Sequence, residues 1–188
     1  MHITLQQTGA SDIAVVKWQL GSDSVSIRAI IERCEYGHPR IVLLDPLGGA
    51  GPDAFNYESV ANVMWLTCPY LNERIHAIES DGMVSKVAEF INQDRALATS
   101  MSGAHAHFYF FRKNLFESLF HGSIPSDRLE LFDAGIGGIR DTDHIKCLHM
   151  HFAHYRICER NIAGYVTNRL LGGKINCDGE DCRHATDR

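Results

Sequence analysis

The pattern of apolar and polar positions divides the chain into a strand-like N-terminal part and a helical remainder. Residues 1–24 alternate irregularly and are interrupted by Gly9, Ser11, Gly21 and Ser22. One or two short strands are expected there, the better one over Ile13–Leu20. From Val25 to Cys34 the alternation is regular, with Val25, Ile27, Ala29 and Ile31 on one face and Ser26 and Arg28 on the other. That is a half-buried strand. Glu35–Pro39 reads as a turn, and Ile41–Leu44 as a buried strand ended by Asp45-Pro46, so the two strands form an antiparallel hairpin. The glycine-rich stretch Leu47–Asn56 has no Gly-Lys-Ser/Thr ending and reads as a connection, not a phosphate loop.

After the short apolar run Val63–Leu66 the period changes to that of a helix. Pro69 suits a first helical turn, which puts Thr67 or Cys68 at the cap. A helix over about Pro69–Ser80 buries Leu71, Ile75 and Ile78 and breaks at Asp81-Gly82. A second, from Met83 to about Ala98, carries Val84, Val87, Ala88, Ile91 and Leu97. A third, from about Ala104 to Leu119, is dense in aromatics (Phe108, Tyr109, Phe110, Phe111, Phe116), with His105, His107 and Arg112 as its polar members. His121–Asp133 reads as a loop, and Gly135-Ile136-Gly137-Gly138 as a tight turn that needs positive φ. Asp141-Thr142-Asp143 offers caps for a helix over His144–Cys158. The last helix runs from about Asn161 to Leu171, stopped by Gly172-Gly173. The expected fold class is α+β: a short N-terminal antiparallel β region followed by a mainly helical bundle. A single domain over residues 1–175 would precede a polar, cysteine-containing tail over 176–188.

Composition narrows the functional classes. The chain has 188 residues, 45% of them apolar, enough for a sizeable core. Its 18 Lys and Arg against 23 Asp and Glu give a net charge of −5, which argues against a binder of nucleic-acid backbones. No apolar run approaches the roughly 20 residues of a membrane span. Met1–Leu5 lacks the basic-then-apolar layout of a signal peptide, so a cytoplasmic protein is expected. There the six cysteines act as thiols, metal ligands or redox groups more readily than as disulfides.

The chemistry concentrates in Cys147–His154, where one cysteine and three histidines share eight residues. On a helix over His144–Cys158, at about 100° per residue, Cys147, His151, His154 and Cys158 fall on one stripe beside the apolar Leu148, Phe152 and Tyr155. Thiolate and imidazole on one stripe suit Zn, Fe or Cu. His149 lies on the far side of that helix, and joins Cys147 only if the helix begins later. Cys68, just before a helix N-terminus, is a candidate thiolate, as ligand or nucleophile. Backbone amides of Gly137 and Gly138 could approach a bound group closely. Arg112 and Tyr109 share a face suited to an anion. Cys177 and Cys182 could swing back to complete a site.

Trp65-Leu66-Thr67-Cys68-Pro69, the Gly135–Gly138 turn, Lys146-Cys147-Leu148-His149, Ala153-His154 and Asn161…Gly164 occur in an order and spacing that resembles an uncharacterised bacterial family catalogued as domain of unknown function 501. The resemblance covers about residues 40–180. It implies functional roles for Cys68, Cys147, His149 and His154, with a further cysteine matching Cys177 or Cys182. Relatives often have proline after the asparagine; here Ile162 follows Asn161. Helix geometry thus favours His151, and the resemblance favours His149.

The leading expectation is a Cys/His metal site joining Cys68, Cys147 and a C-terminal cysteine, Cys177 or Cys182, with His151 as a further ligand candidate. Three such cysteines could hold a [4Fe–4S] cluster with one open iron, serving an enzyme that acts on a small anionic or sulfur-containing substrate. His149 and His154 would act as acid/base groups, while Lys146 and Arg112 would hold the substrate's charge. Zn²⁺ bound by Cys and His, structural or hydrolytic, is the alternative. A metal-free thiol enzyme (Cys68 with His154 or His149) and a non-catalytic interaction protein using the aromatic helix are the other classes.

Overall fold

The computed structural model describes residues 5–45, 61, 63–120 and 132–186. The connection expected at Leu47–Asn56 lies outside them, as does the expected loop up to residue 131. Strands β1 (Ile27–Arg33), β2 (Pro39–Leu44) and β3 (Met64–Leu66) form one antiparallel sheet in the order β1-β2-β3. β2 has a neighbour on each side and buries five of its six residues, which is why Ile41–Leu44 reads as an unbroken apolar run. The β1–β2 hairpin closes through Cys34, whose carbonyl accepts from Gly37 N at 3.0 Å and whose amide donates to the His38 carbonyl at 2.9 Å.

The stretch expected to be a strand over Ile13–Leu20 is instead helix α1, Ala10–Leu20. Val15 and Val16 are both buried, which the alternation of a half-buried strand would forbid. Local capping overrides their propensity. Asp12 Oδ2 accepts the Gly9 amide at 2.9 Å, and Gly21 ends the helix at φ 60°.

Among the described residues, five helices follow the sheet. α2 (Pro69–Ser80) starts as its sequence requires, with Cys68 at the N-cap and Pro69 in the first turn, and buries Leu71 and Ile75. α3 (Met83–Asn92) buries Val87 and Ile91. It stops earlier than Ala98 because Asp94 starts a new helix. The Asp94 carboxylate accepts from Ala96 N at 2.7 Å and Leu97 N at 3.1 Å. The apolar stripe that runs across this break conceals it in the sequence. α4 (Arg95–Phe120) is therefore 26 residues long. Its aromatics are mostly core: Phe108 and Phe116 are fully buried, and Phe116 meets Phe132 edge-on at 5.0 Å, whereas Phe110 is 57% exposed. The glycine turn becomes a 3-10 turn (Ile136–Gly138) with φ of 78° at Gly137 and 76° at Gly138.

α5 (Leu148–Tyr155) is shorter than the expected His144–Cys158 helix. Asp141 accepts from Asp143 N at 3.0 Å within a turn and caps no helix. The residue before α5, Cys147, is extended, at φ −154°. α6 (Ile162–Leu170) starts at Asn161, whose Oδ1 accepts from Gly164 N at 3.0 Å. The first turn of α6 crosses α5 closely. A Cβ on Gly164 would stand 2.2 Å from the His151 carbonyl oxygen. α5 also packs on β3, α2 and the Ile136–Gly138 turn, so it lies near the middle of the molecule. No helix among the described residues is long and apolar enough to cross a membrane.

Candidate functional site

The late start of α5 decides the first cluster. Because Cys147 is extended and not helical, it leaves the stripe predicted with His151 and turns toward His149. Its Sγ lies 3.6 Å from His149 Nδ1. The same nitrogen is 3.1 Å from Glu79 Oε1, which reaches in from the last turn of α2 and also accepts the Leu148 amide. This carboxylate takes the place of a local cap at the α5 N-terminus, where negative charge is favoured. The far nitrogen of the ring, Nε2, donates to the Asn72 carbonyl at 3.1 Å, which fixes the ring's direction. Oxygen, sulfur and nitrogen of Glu79, Cys147 and His149 lie within 4.8 Å of one another, and all three residues are half-buried. Burial opposes a charge on His149. The Cys147 hydrogen bond, the Asn72 carbonyl and the negative charge of Cys147 and Glu79 outweigh it and raise the imidazole to about 9.

A second cluster is a histidine network between α4 and α5. The Gly164 amide makes Asn161 Oδ1 an acceptor, so Asn161 Nδ2 is the donor to His154 Nδ1 at 3.1 Å. His154 must then carry its proton on Nε2, and it donates to His107 Nδ1 at 3.0 Å. On the other side His151 Nδ1 donates to Asn161 Oδ1 at 3.1 Å, leaving a lone pair on Nε2. His105 Nδ1 accepts the Ile136 amide at 3.1 Å, so its proton is on Nε2. The rings of His105 and His151 meet edge-on at 6.0 Å, and neither Nε2 has a hydrogen-bond partner among the described residues. Burial pushes all four imidazoles down: His105 to about 4, helped by Arg112, and His151 to about 3, helped by His105. His107 and His154 fall as well, the latter well below its ordinary range. His107, His154 and Cys158 also bring their ligand atoms within 4.8 Å, and a cleft of about 440 Å³ lined by His107, Cys158 and Arg160 opens beside them.

The remaining predicted residues separate. Cys68 is buried, which pushes its thiol up to about 11, against its expected role as an activated thiolate. It lines a small cavity with Cys177 and Cys182, and Cys147 does not line that cavity. Cys147, extended before α5, sits beside His149 and Glu79 of the last turn of α2, whereas Cys68 caps the first turn of that helix. Arg112 is fully buried, stacked on Phe108 at 4.6 Å and donating to the Phe132 and Ala134 carbonyls, so it clamps the chain before the glycine turn. Tyr109 stacks edge-on with Phe110. Lys146 is exposed beside the Gly137 turn. Gly135 has a steric reason of its own, because a Cβ there would stand 2.4 Å from His105 Nδ1. Glu79 and Asn161 are the residues that the motif pattern did not single out for chemistry. Glu79 carries no local signal, since only the fold brings α2 to α5.

Among the described residues, two groups of three could thus hold a metal ion. They differ in how their nitrogens are used. His149 and His154 both have both nitrogens hydrogen-bonded, but those of His154 bond to neutral groups, Asn161 and His107, that serve the buried network. His149 has one nitrogen anchored on a carbonyl and the other facing sulfur and carboxylate, the usual arrangement of a metal-ligating histidine.

No curated protein and no solved structure matches the chain. A family model described as "Protein of unknown function (DUF501)" matches residues 30–169, and the chain belongs to that family.

Proposed function

We propose that the chain binds a single zinc-class ion through Glu79, Cys147 and His149, and that this ion is the centre of its activity. The observation that supports the reading is the convergence of three different ligand atoms, each already oriented by the backbone. Asn72 holds His149, the Leu148 amide holds Glu79, and the extended cap conformation presents Cys147. A mixed N, O, S set suits Zn²⁺. An iron–sulfur cluster needs three or four thiolates, and Cys147 brings one. Three protein ligands in a half-buried site leave a position for water or substrate, as hydrolytic zinc sites do. Zinc bound there would supply Lewis acidity. Lys146, exposed and next to Cys147, would meet negative charge on a small anionic substrate.

A second reading has an observation of its own. The pair of Cys147 Sγ and His149 Nδ1 at 3.6 Å, at a helix start, is also the geometry of a thiol nucleophile with its base. Metal analysis of protein purified without chelator separates the two. We expect Cys147→Ser and His149→Asn each to lose one zinc per chain while keeping the wild-type circular dichroism. Unchanged zinc in both variants overturns the ion reading, and loss of function on alkylating Cys147 in zinc-free protein would then favour the thiol.

A further inference from the structure

The cleft of about 440 Å³ beside His107 and Cys158 is not used by the proposed ion site. The distances among His107, His154 and Cys158 suit a metal, but their hydrogen atoms oppose one. Asn161 Nδ2 donates to His154 Nδ1, and His154 Nε2 donates to His107 Nδ1. An ion between the two rings has to displace the hydrogen on His154 Nε2, and the other nitrogen of that ring already accepts the Asn161 N–H. Neutral His107 then carries its own hydrogen on Nε2, which has no hydrogen-bond partner among the described residues. Burial first, and then positive charge that includes Arg160's, lower the pKa of His107, so the ring meets the cleft as a neutral donor.

The remaining wall is the turn between α5 and α6, Ile157 to Arg160. Ser100 Oγ holds this turn against α4 by donating to the Arg160 carbonyl at 3.0 Å. The Arg160 side chain lies back over α4 at Gly103, where a Cβ would stand 3.3 Å from its Cδ and its Nη1. Gly103 is one helical turn before His107, so guanidinium and imidazole share a face of α4. Arg160 is exposed and makes no ion pair among the described residues, although the chain carries a net charge of −5. Burial raises the Cys158 thiol against the amide and charge of Arg160 and the Asn161 amide, so its sulfur keeps its proton. Imidazole N–H, guanidinium and thiol are all donors. We infer that this cleft binds a phosphate-class oxyanion, free or as a monoester, through Arg160 and the Nε2–H of His107. Arg160 supplies the positive charge and the planar fork that matches phosphate oxygens. His154 and Asn161 are positioning residues, which fix the tautomer that turns a donor toward the cleft. Exposed Glu159 also lines it, and its carboxylate opposes a dianion. The inference is independent of an ion at Glu79, Cys147 and His149.

The experiment is a titration of the full chain, at constant ionic strength, with inorganic phosphate and separately with phenyl phosphate, followed by the imidazole nitrogen resonances in NMR. We expect a saturable shift at His107 Nε2, with the hydrogen retained there. Saturation by either probe supports the inference, and the tighter of the two tells free ion from monoester. Arg160→Gln should weaken binding roughly tenfold and Arg160→Lys less, since the charge stays while the fork is lost. Glu159→Gln should tighten it about twofold. Both side chains are exposed, so the variants should keep the wild-type circular dichroism. No saturable shift at His107, an affinity unchanged in Arg160→Gln, or zinc replacing the hydrogen on the His107 or His154 ring would overturn the inference.

Discussion

Asn161 joins more partners than any motif would ask of it. One side chain caps α6 through Gly164 and fixes the tautomers of His151 and His154. Replacing it with alanine removes a cap and leaves buried imidazole nitrogens unmatched, so Asn161→Ala should cost about 3 kcal/mol in urea unfolding at neutral pH. A cost under about 1 kcal/mol would mean the network is not formed. The histidines themselves predict an acid response. Below about 6.5 the unfolded chain takes up protons that folded His105, at about 4, and His154, lower than its ordinary range, refuse. Their contribution is therefore complete above pH 6.5 and is lost as pH falls toward 4, by up to about 1.4 kcal/mol per pH unit for each. Urea midpoints at pH 7.5, 6 and 5 should fall accordingly, and His105→Gln should flatten the slope by one proton. A midpoint unchanged down to pH 5 would contradict it. The histidines were conspicuous in the sequence, and their wiring was not, because the tautomers follow from an amide ten residues away and from a glycine's N–H.

At the scale of elements, the hairpin, α2 and the start of α6 were legible because each carries its own signal: alternation, Cys-Pro at a helix start, an asparagine cap. α1 was misread because its irregular alternation carries no clear helical period, and the caps at Gly9 and Gly21 decide for a helix. α5 was misread because Glu79, far away in the chain, supplies its cap. That one-turn error in the helix start placed Cys147 on a stripe with His151, whereas it actually faces His149. The crossing of α5 and α6 offers a test of the packing that orders both clusters. A Cβ on Gly164 would meet backbone at 2.2 Å and the Tyr155 Cβ at 2.4 Å, and neither can retreat without shifting a helix. Gly164→Ala should cost about 3 kcal/mol or more. Gly172→Ala, with open space around it and φ +67°, should cost about 1 to 2 kcal/mol from its backbone alone. Equal costs would show that the close approach is not limiting.

For the whole molecule, the α+β plan of a small sheet and helical bundle was visible in the pattern, and membership of the family rests on residues 30–169. What the pattern could not supply was the partition of the thiols. The sequence pattern put Cys68, Cys147 and a C-terminal cysteine in one site. The fold sends Cys147 to Glu79 and His149 at one end of α2, and Cys68 to Cys34, Cys177 and Cys182 at the other. The matched stretch contains all three residues of the proposed ion site, while Cys177 and Cys182 lie past its end. The most direct measurement is an anomalous difference map, collected at the zinc edge, from crystals grown without chelator. The account predicts a peak within bonding distance of Cys147 Sγ, His149 Nδ1 and a Glu79 carboxylate oxygen, about 2.0–2.3 Å from each. A map with no peak there, from protein in which zinc was supplied, would contradict it.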